Sequence, residues 1–397
     1  MNKIMKISII SCIVILIFLF ICICICNNRE NYINIKTTDI TDPKLSWKIN
    51  KCPYSFTDNF KKVFDANNII KTNKAINPNT IHIPCTYDDT EKEIKEMVLA
   101  TENDNKVFIL NNADEIVAKD YLWKNLVKHY GLHKTLKLIP MTYILYDSND
   151  VKRLKENHTD NKIYILKKNI QRQEGLKISN DVNYITSNKD NYPLAQELLQ
   201  DPYLINGRKI NLRVYVLVVC NKENYDVYAY NDGFMYYTKD LFTENSLDFG
   251  PNITTGYIDR KVYEVNPLTH DDFREYLDKS RDLTKEEIKI INNGNVLSTY
   301  VFNNINNLVK DVFTAFYKKI GYGGKLYNHV SFQLFGIDVA INKNLEATIM
   351  EVNKGPDLNS KDEKDGNLKR GVIKDMLKII KMIPNDTDNR FTHLVEI

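Results

Sequence analysis

The hydrophobic pattern of the chain changes sharply after its first segment. Residues 7–26 carry no charged side chain and are almost wholly apolar, and Lys3 and Lys6 precede them. A helix needs about 20 apolar residues to cross a bilayer, and no small-residue cleavage site follows the run. We therefore predict an uncleaved, single-pass N-terminal membrane anchor, with a cleaved signal peptide as the alternative.

The charges around this run bear on its orientation. Lys3 and Lys6 favour a cytoplasmic N-terminus, which would send the body of the chain across the membrane. Arg29 and Lys36 follow the run and weaken that bias.

The rest of the chain alternates between short β-forming runs and stretches of helical periodicity, which indicates an α/β (α+β) protein. Residues 106–110 predict a strand, and residues 116–130, 285–320 and 371–383 predict amphipathic helices. Roughly 350 residues follow the anchor, enough for two or three packed lobes. Composition divides the chain into an anchor (1–27), a tether (28–50), an N-terminal α/β lobe (51–140), a central lobe (141–199), a C-terminal lobe (200–384) and a tail (385–397).

A strand-turn-strand unit begins near residue 204. Asn206-Gly207 is a dipeptide that readily takes the positive φ angles of a tight turn, and strongly β-forming residues follow it. The period-2 geometry of a strand places Lys209, Asn211 and Arg213 on one face. Two cations on one face of an otherwise apolar strand suit a polyphosphate. The alternative is a charged face that simply meets solvent.

A second pair of β-forming runs spans residues 332–340 and 347–353. Each run carries a carboxylate among apolar residues, Asp338 in the first and Glu351 in the second, and Asn353 shares the face of Glu351. A buried carboxylate needs a cation or a hydrogen-bonding partner. Two carboxylates and an amide oxygen form the hard donor set that holds Mg²⁺. The alternative is that Asp338 caps a turn and Glu351 pairs with a lysine.

These blocks, in this order, resemble the tubulin tyrosine ligase-like branch of the ATP-grasp enzymes. The similarity covers about residues 139–358 and rests on LINGRKINLRVYVLV, FQLFGIDVAINKNLEATIMEVNKGPDL, IYILKKNIQRQEGLKIS and AQELLQDP. The resemblance implies an ATP-grasp fold, with residues 200–384 as the catalytic lobe. It also implies a ligase in which ATP phosphorylates a carboxylate and an amine then attacks the acyl phosphate. Members of this family add tyrosine, glutamate or glycine to protein carboxylates, usually those of tubulin.

The resemblance also implies roles for individual residues. Lys167, at the end of the strand 163–166, matches a lysine that reaches the ATP phosphates. Lys209 and Arg213 match cations near the phosphates and the reacting carboxylate. The segment that contacts adenine, largely through its backbone, corresponds to residues 196–199, which include Gln196, Glu197 and Leu199. The magnesium ligands correspond to Asp338, Glu351 and Asn353.

Several positions depart from the family pattern. Asn211 stands where the family has an aspartate, and Tyr236 stands where an arginine helps to hold the acceptor. The phosphate loop at 168–175 contains only Gly175, so Gln171 or Arg172 would contact phosphate by side chain instead of by backbone. An HLTN-type element survives only in part at residues 252–255.

Composition limits the partners. Lys and Arg number 54 and Asp and Glu 51, so the charges nearly cancel and we expect no nucleic-acid partner. The implied partners are a protein acceptor with an acidic tail, such as tubulin, a free amino acid donor, and a membrane reached through the N-terminal helix. The abundance of Asn, Ile, Lys and Tyr is typical of an AT-rich genome, such as that of a large DNA virus or a protist. A host or a virion membrane is therefore the expected location.

Two hypotheses of function follow from the sequence. The first is an active, membrane-anchored ligase that uses ATP and Mg²⁺. The second is a degenerate nucleotide-binding module without ligase activity, which the residues Asn211 and Tyr236 and the glycine-poor loop favour. A lumenal membrane transferase of another family would suit the anchor, but it would leave the ATP-grasp blocks unexplained.

Overall fold

A computed structural model describes residues 45–49, 58–72, 80–83, 106–168, 175–221, 224–255, 260–321, 330–385 and 388–397. The predicted anchor at 7–26 lies outside these residues, as does most of the predicted tether. Within the described ranges, no helix is both long enough and apolar enough to cross a bilayer.

The described elements mix strands and helices throughout, as the sequence predicts. The strands are β1 (Ser46–Ile49), β2 (Ile70–Lys71), β3 (Thr80–Ile83), β4 (Lys106–Val107), β5 (Thr142–Ile144), β6 (Tyr164–Lys167), β7 (Lys177–Ser179), β8 (Leu194–Glu197), β9 (Leu204–Ile205), β10 (Arg208–Cys220), β11 (Tyr225–Thr238), β12 (Thr254–Thr255), β13 (Val330–Ile341), β14 (Ala347–Asn353) and β15 (Phe391–Glu396). The helices are α1 (Asp58–Ala66), α2 (Asp114–Val117), α3 (Lys119–Thr135), α4 (Ser148–Asn157), α5 (Val182–Ser187), α6 (Val262–Val265), α7 (His270–Asp278), α8 (Lys285–Asn292), α9 (Leu297–Ala315) and α10 (Glu363–Ile379).

An 11-stranded sheet forms the centre of the unit that spans Leu45–Ile397. Its order is β12-β11-β10-β13-β4-β3-β1-β2, with β9, β14 and β15 paired to the sides of the long strands. β10 is almost continuously apolar because both of its faces are covered: α9 packs on one face, and α1 and α10 pack on the other. Burial of these two apolar layers is the main stabilising term of the fold.

A smaller sheet of four strands, in the order β5-β8-β6-β7, forms the central lobe. All of its neighbouring strands are antiparallel, and α4 and α5 accompany it. Its described elements fall between residues 142 and 197.

The predicted hairpin is present at the start of β10. Asn206 and Gly207 both have positive φ angles, 47° and 74°, and β9 pairs with β10 directly across this turn. The turn fixes the register of β10, so the face that carries Lys209, Asn211 and Arg213 is fixed as well.

Two predicted boundaries are wrong. The tether was expected to reach residue 50, but Ser46–Ile49 form β1, which pairs in parallel with β2 and β3. The tail was expected at 385–397, but Phe391–Glu396 form β15, which pairs with β11. Both strands are short, and each is paired in the sheet with strands that are distant in the sequence.

Three predicted elements also have different bounds. The helix predicted at 285–320 is two helices, α8 and α9, because Gly294 takes a φ of 82° and ends the first of them. The helix predicted at 371–383 starts earlier, where the Asp362 side chain accepts a hydrogen bond from the Asp365 N–H. The strand predicted at 106–110 is confined to β4, and the stretch 116–130 divides between α2 and α3.

Candidate active site

A cleft of about 200 Å³ lies between the four-stranded sheet and the large sheet. It brings together residues that the sequence predicts as a site from strands far apart in the chain: Lys167 on β6, Lys209 and Arg213 on β10, Asp338 on β13, and Glu351 and Asn353 on β14. We call this cleft the nucleotide cleft. The alternation of side chains along β10 puts Lys209 and Arg213 on the cleft wall. The alternative, that this face of β10 simply meets solvent, does not account for their position in the cleft.

The predicted metal ligands lie together on β13 and β14. Asp338 is directly opposite Glu351 in the antiparallel ladder, and Asn353 follows two residues later on the same strand. Opposed side chains in such a ladder have Cβ atoms about 5 Å apart. Two carboxylates and one amide oxygen on one cleft wall fit a hard cation such as Mg²⁺.

Each of the two carboxylates also has a cationic partner. The Arg213 guanidinium binds both Asp338 oxygens, with Nε–Oδ1 at 2.7 Å and Nη2–Oδ2 at 3.2 Å. Lys119 Nζ lies 3.2 Å from Glu351 Oε1. The alternative that Glu351 pairs with a lysine is therefore confirmed, whereas Asp338 lies inside a strand and caps no turn.

Burial and charge act against each other at the Arg213–Asp338 pair. Burial opposes the charged guanidinium, but Asp338 outweighs it and holds the pKa of Arg213 above its ordinary value. Burial raises the pKa of Asp338, and Arg213 opposes that rise. Because both groups are buried, each depends on the opposite charge of the other to remain ionised.

The two predicted phosphate lysines are deeply buried. Lys167 Nζ donates to Gln196 Oε1 at 2.7 Å, and Lys209 Nζ donates to the Leu199 carbonyl at 3.2 Å. Burial lowers the pKa of each lysine to about 8. Among the described residues, neither ammonium forms an ion pair. An anionic ligand in the cleft would supply the negative charge that balances both.

Of the predicted adenine-contacting segment at 196–199, one residue lines the cleft. Gln196 does not line the cleft, because its Nε2 donates to Thr142 Oγ1 and its Oε1 accepts from Lys167. Glu197 accepts a hydrogen bond from Lys162 at 2.7 Å and does not line the cleft. Leu198 rather than Leu199 presents its side chain there. Gln171 and Arg172 lie outside the described residues.

An apolar wall faces these charges, and the sequence analysis did not identify it. Its side chains come from both sheets and from the segment before β12: Ile165, Leu176, Leu198, Ile253 and Met350. Ile165 could have been found, because it lies two residues before Lys167 on the same strand face. Lys119, also missed, has no local signal, since only tertiary packing brings the start of α3 to Glu351.

A second pocket of about 340 Å³ adjoins the nucleotide cleft. The two share Arg213, Thr254 and Asp338. The other lining side chains are aromatic, cationic and acidic, and include Tyr236, Arg260, Tyr263, Asp357, Lys361, Asp365 and Lys369. We call this the substrate pocket. Arg213, at the junction, can reach ligands in either cavity.

The two departures Asn211 and Tyr236 are neighbours in the fold. They lie directly opposite each other on β10 and β11, so they form one cross-strand pair. The Arg213 guanidinium lies 5.1 Å from the centre of the Tyr236 ring. Burial raises the pKa of Tyr236 to about 12, so its phenol is neutral near pH 7. Neither side chain of this cross-strand pair is therefore charged near pH 7, whereas the family resemblance implies an aspartate and an arginine at these two positions.

Gly336 makes room for Arg213. A Cβ atom at this position would lie 3.2 Å from the Arg213 side chain and 2.9 Å from that of Pro356. A larger residue would therefore require the Pro356 or the Arg213 side chain to shift.

The sequence model of the tubulin-tyrosine ligase family matches residues 97–390. The probable tubulin polyglutamylase TTLL9 of Rattus norvegicus is 28% identical over 214 residues, which cover 51% of this chain and 42% of that protein. A probable beta-tubulin polyglutamylase of Tetrahymena thermophila is 23% identical over 278 residues, covering 67% of this chain and 23% of that protein. The tubulin monoglutamylase TTLL4 of Homo sapiens is 24% identical over 293 residues, covering 69% and 23%. The chain thus spans less than half the length of each of these relatives.

Proposed function

The chain belongs to the tubulin-tyrosine ligase family, and on that premise we propose that it is an ATP-dependent ligase that joins an amino acid to a protein carboxylate. The observation that carries this proposal is the nucleotide cleft. Cations for a polyphosphate, oxygens for a metal ion and an apolar wall for a base all line one cavity there. The adjoining substrate pocket leaves space for the reacting carboxylate and amine.

The buried lysines are the proposed phosphate contacts. Lys167 and Lys209 already donate to neutral oxygens, so a phosphate oxygen would replace a weaker partner with a charged one. Asp338, Glu351 and Asn353 would hold Mg²⁺, which when bound offsets negative charge on the nucleotide phosphates. These residues position and neutralise the reactants, and no side-chain nucleophile is needed.

The proposed reaction has two steps. An oxygen of the acceptor carboxylate attacks the γ-phosphorus of ATP, and ADP leaves with the bridging oxygen. The amino group of the donor then attacks the acyl carbon and loses a proton, and phosphate leaves with the former carboxylate oxygen. Arg213 lies where the cleft meets the substrate pocket, so it can bring the two anions of the first step together.

We propose glutamate as the added amino acid and an acidic tubulin tail as the acceptor. The support is that the relatives described above are named as tubulin polyglutamylases and monoglutamylases. Tyrosine and glycine, which the family resemblance also allows, are the alternatives. The substrate pocket carries three cations, Arg260, Lys361 and Lys369, and an acceptor carboxylate would compete for them with the aspartates that they already pair with.

The competing function is a nucleotide-binding module without ligation. The uncharged pair Asn211 and Tyr236 favours it, because that pair lies beside Arg213 at the junction of the two cavities. Nucleotide binding would survive such a change, whereas positioning of the acceptor would not.

Mass spectrometry separates these functions. The full-length chain, in mild detergent, is incubated with Mg-ATP, tubulin and each of glutamate, glycine and tyrosine in turn. We expect ATP-dependent additions of glutamate mass to tubulin tails. Additions of another amino acid would change the donor assignment, and ATP binding without any addition would favour the binding module.

We also propose that residues 7–26 anchor the chain in a membrane. Three asparagines lie in N-x-S/T glycosylation sequons: Asn157, Asn252 and Asn385. Glycosylation of such a site would show on which side of the membrane the rest of the chain lies. Asn157 and Asn385 are exposed, but Asn252 is buried and donates both amide hydrogens to backbone carbonyls, so it is not available for glycosylation in the folded chain. Glycan on Asn157 or Asn385 would place the body on the lumenal side. Loss of the chain from carbonate-washed membranes would contradict the anchor.

A further inference from the structure

A third cavity, of about 500 Å³, shares no lining residue with the nucleotide cleft or the substrate pocket. One of its walls is a face of α10 that carries Lys364, Gly371 and Lys374. The other wall comes from β11, from the start of α7 and from residues 388–390. We call this cavity the α10 groove.

Tyr230 brings a buried hydroxyl group to the α10 groove. Only 5% of the residue is exposed, and its ring packs against Phe391. Gly371 lets the hydroxyl reach the α10 wall, because a Cβ atom at that glycine would lie 2.8 Å from the hydroxyl oxygen. Burial raises the pKa of Tyr230, so the hydroxyl stays protonated and can donate. It has no hydrogen-bond partner among the described residues, which is costly for a buried polar group.

Most charged side chains of the groove are already paired with one another, in the ion pairs Lys364–Asp272, Lys378–Asp375 and Arg390–Asp271. Two charged side chains are not. Within the part of the chain that the structure describes, neither Lys374 nor Asp388 has an ion-pair partner, and both are exposed. One ammonium, one carboxylate and the neutral Tyr230 hydroxyl therefore remain available to a ligand.

Helix geometry places these three groups near one another along the groove. Lys378 Nζ donates to the Asp388 carbonyl at 2.7 Å, so residue 388 lies beside that turn of α10. Lys374 precedes Lys378 by about one turn, and Gly371, which adjoins the Tyr230 hydroxyl, precedes Lys374 by about 4.5 Å of helical rise. The three groups thus lie within about 10 Å along the helix axis. A small molecule with an ammonium and a carboxylate a few bonds apart can reach all of them.

We propose that the α10 groove binds a free amino acid in its zwitterionic form. The carboxylate of the amino acid accepts hydrogen bonds from Lys374 and from the Tyr230 hydroxyl, and its ammonium group contacts Asp388. A ligand with charge of one sign would leave one of the two unpaired side chains without a partner. The inference goes beyond the proposed function, because the groove contains none of the proposed phosphate or metal contacts and binds its ligand without ATP.

Calorimetric titration of the full-length chain in mild detergent with L-glutamate and with glutarate, in the absence of ATP, tests the inference. Glutarate is glutamate without its amino group, so the groove should bind glutamate at least about fivefold more tightly. Lys374→Gln should weaken glutamate binding about tenfold and Tyr230→Phe about fivefold. Asp388→Asn should remove the preference for glutamate over glutarate. Lys289→Gln, a change of an exposed lysine on α8, is the matched control and should alter neither affinity.

Three results would overturn the inference. Equal or tighter binding of glutarate would show a site for anions alone. Glutamate binding that none of the groove variants changes would place the ligand in another cavity, such as the substrate pocket. Failure of the wild type to bind glutamate would leave the groove to water. Tubulin modification is measured separately, so none of these results decides the proposed function.

Discussion

The nucleotide cleft and the substrate pocket share a wall but differ in their chemistry. In the cleft, the residues expected from the family pattern at the phosphate lysines and the metal ligands are retained, and both carboxylates have cationic partners. In the substrate pocket, Tyr236 replaces an expected arginine, and Tyr263 and Phe234 add further aromatic surface. The cleft therefore gathers cations and carboxylate and amide oxygens in one cavity, whereas the pocket is lined by aromatic rings and by cations paired with aspartates.

This difference separates nucleotide binding from specificity for the acceptor. Nucleotide binding depends on buried charges whose loss would leave a partner unpaired, which makes substitution there costly. The substrate pocket is bounded by aromatic rings and by the partly exposed ion pairs Arg260–Asp362 and Lys361–Asp357, where substitution should have a smaller effect on the fold, although its Lys369–Asp365 pair is buried.

Glu351→Gln should have the largest effect on the nucleotide cleft. The change removes the negative charge of a proposed Mg²⁺ ligand and the ion-pair partner of Lys119. The Mg-dependent affinity for ATP should therefore fall on the order of 100-fold or more. Isothermal titration calorimetry with ATP, with and without Mg²⁺, measures this effect. Glu346→Gln, an exposed change in the hairpin between β13 and β14, is the matched control. Equal ATP affinities of wild type and Glu351→Gln would remove the metal assignment.

Arg213→Ala should act on turnover more than on binding. The guanidinium stands at the junction of the two cavities, so its loss should cost about 3 kcal/mol of transition-state stabilisation. Because the change leaves Asp338 buried and unpaired, Arg213→Lys is needed beside it to keep a charge there while removing the bidentate contact. Steady-state kinetics and ATP titrations of both variants give the comparison. An equal loss in ATP affinity and in turnover would place Arg213 with the phosphate lysines alone.

The pH dependence should single out the nucleotide cleft. Burial lowers the pKa of Lys167 and of Lys209 to about 8, and phosphate binds the protonated forms. ATP affinity should therefore be constant below pH 8 and fall above it, by up to about tenfold per pH unit for each lysine that must take up a proton. Calorimetry at pH 8.5 in buffers of different ionisation enthalpy should show proton uptake on binding. Lys167→Arg should reduce that uptake, and a flat affinity from pH 7 to 9.5 would contradict the assignment.

The sequence predicts much of this cleft because strand alternation is a local rule. It places Lys209 with Arg213, and Glu351 with Asn353, without knowledge of the tertiary fold. It cannot predict that Lys119 meets Glu351, since the start of α3 carries no pattern that points to β14. It also misses β1 and β15, whose backbones are stabilised only by distant strands.

The register of β10 and β11 illustrates the same limit. In the sequence, Asn211 and Tyr236 are two separate differences from the family pattern, and nothing there shows that they are neighbours. Their opposition depends on the pairing of two long strands and on the irregularity in that pairing between Val214 and Val216. The structure therefore converts two departures into one change at the edge of the substrate pocket.

The pair Asn211 and Tyr236 should show a smaller, coupled effect. Tyr236→Arg alone places a second guanidinium beside Arg213 and should lower the free energy of unfolding by about 1 kcal/mol or more, whereas Asn211→Asp directly opposite should recover about 1 kcal/mol. A double-mutant cycle by chemical denaturation measures the coupling. Additive effects would contradict the cross-strand pairing. If the double variant ligates and the wild type does not, the binding-module hypothesis replaces the ligase.

The central claim is that the cleft activates a protein carboxylate as an acyl phosphate, and an oxygen-transfer measurement tests it most directly. A glutamate-rich acceptor peptide labelled with ¹⁸O in its side-chain carboxylates is incubated with the full-length chain, Mg-ATP and glutamate. Each ligation should transfer one ¹⁸O atom to the released inorganic phosphate, in equal amount to the amide formed, and Glu351→Gln should abolish both. Amide formation with unlabelled phosphate, or ATP binding with neither product, would contradict the account.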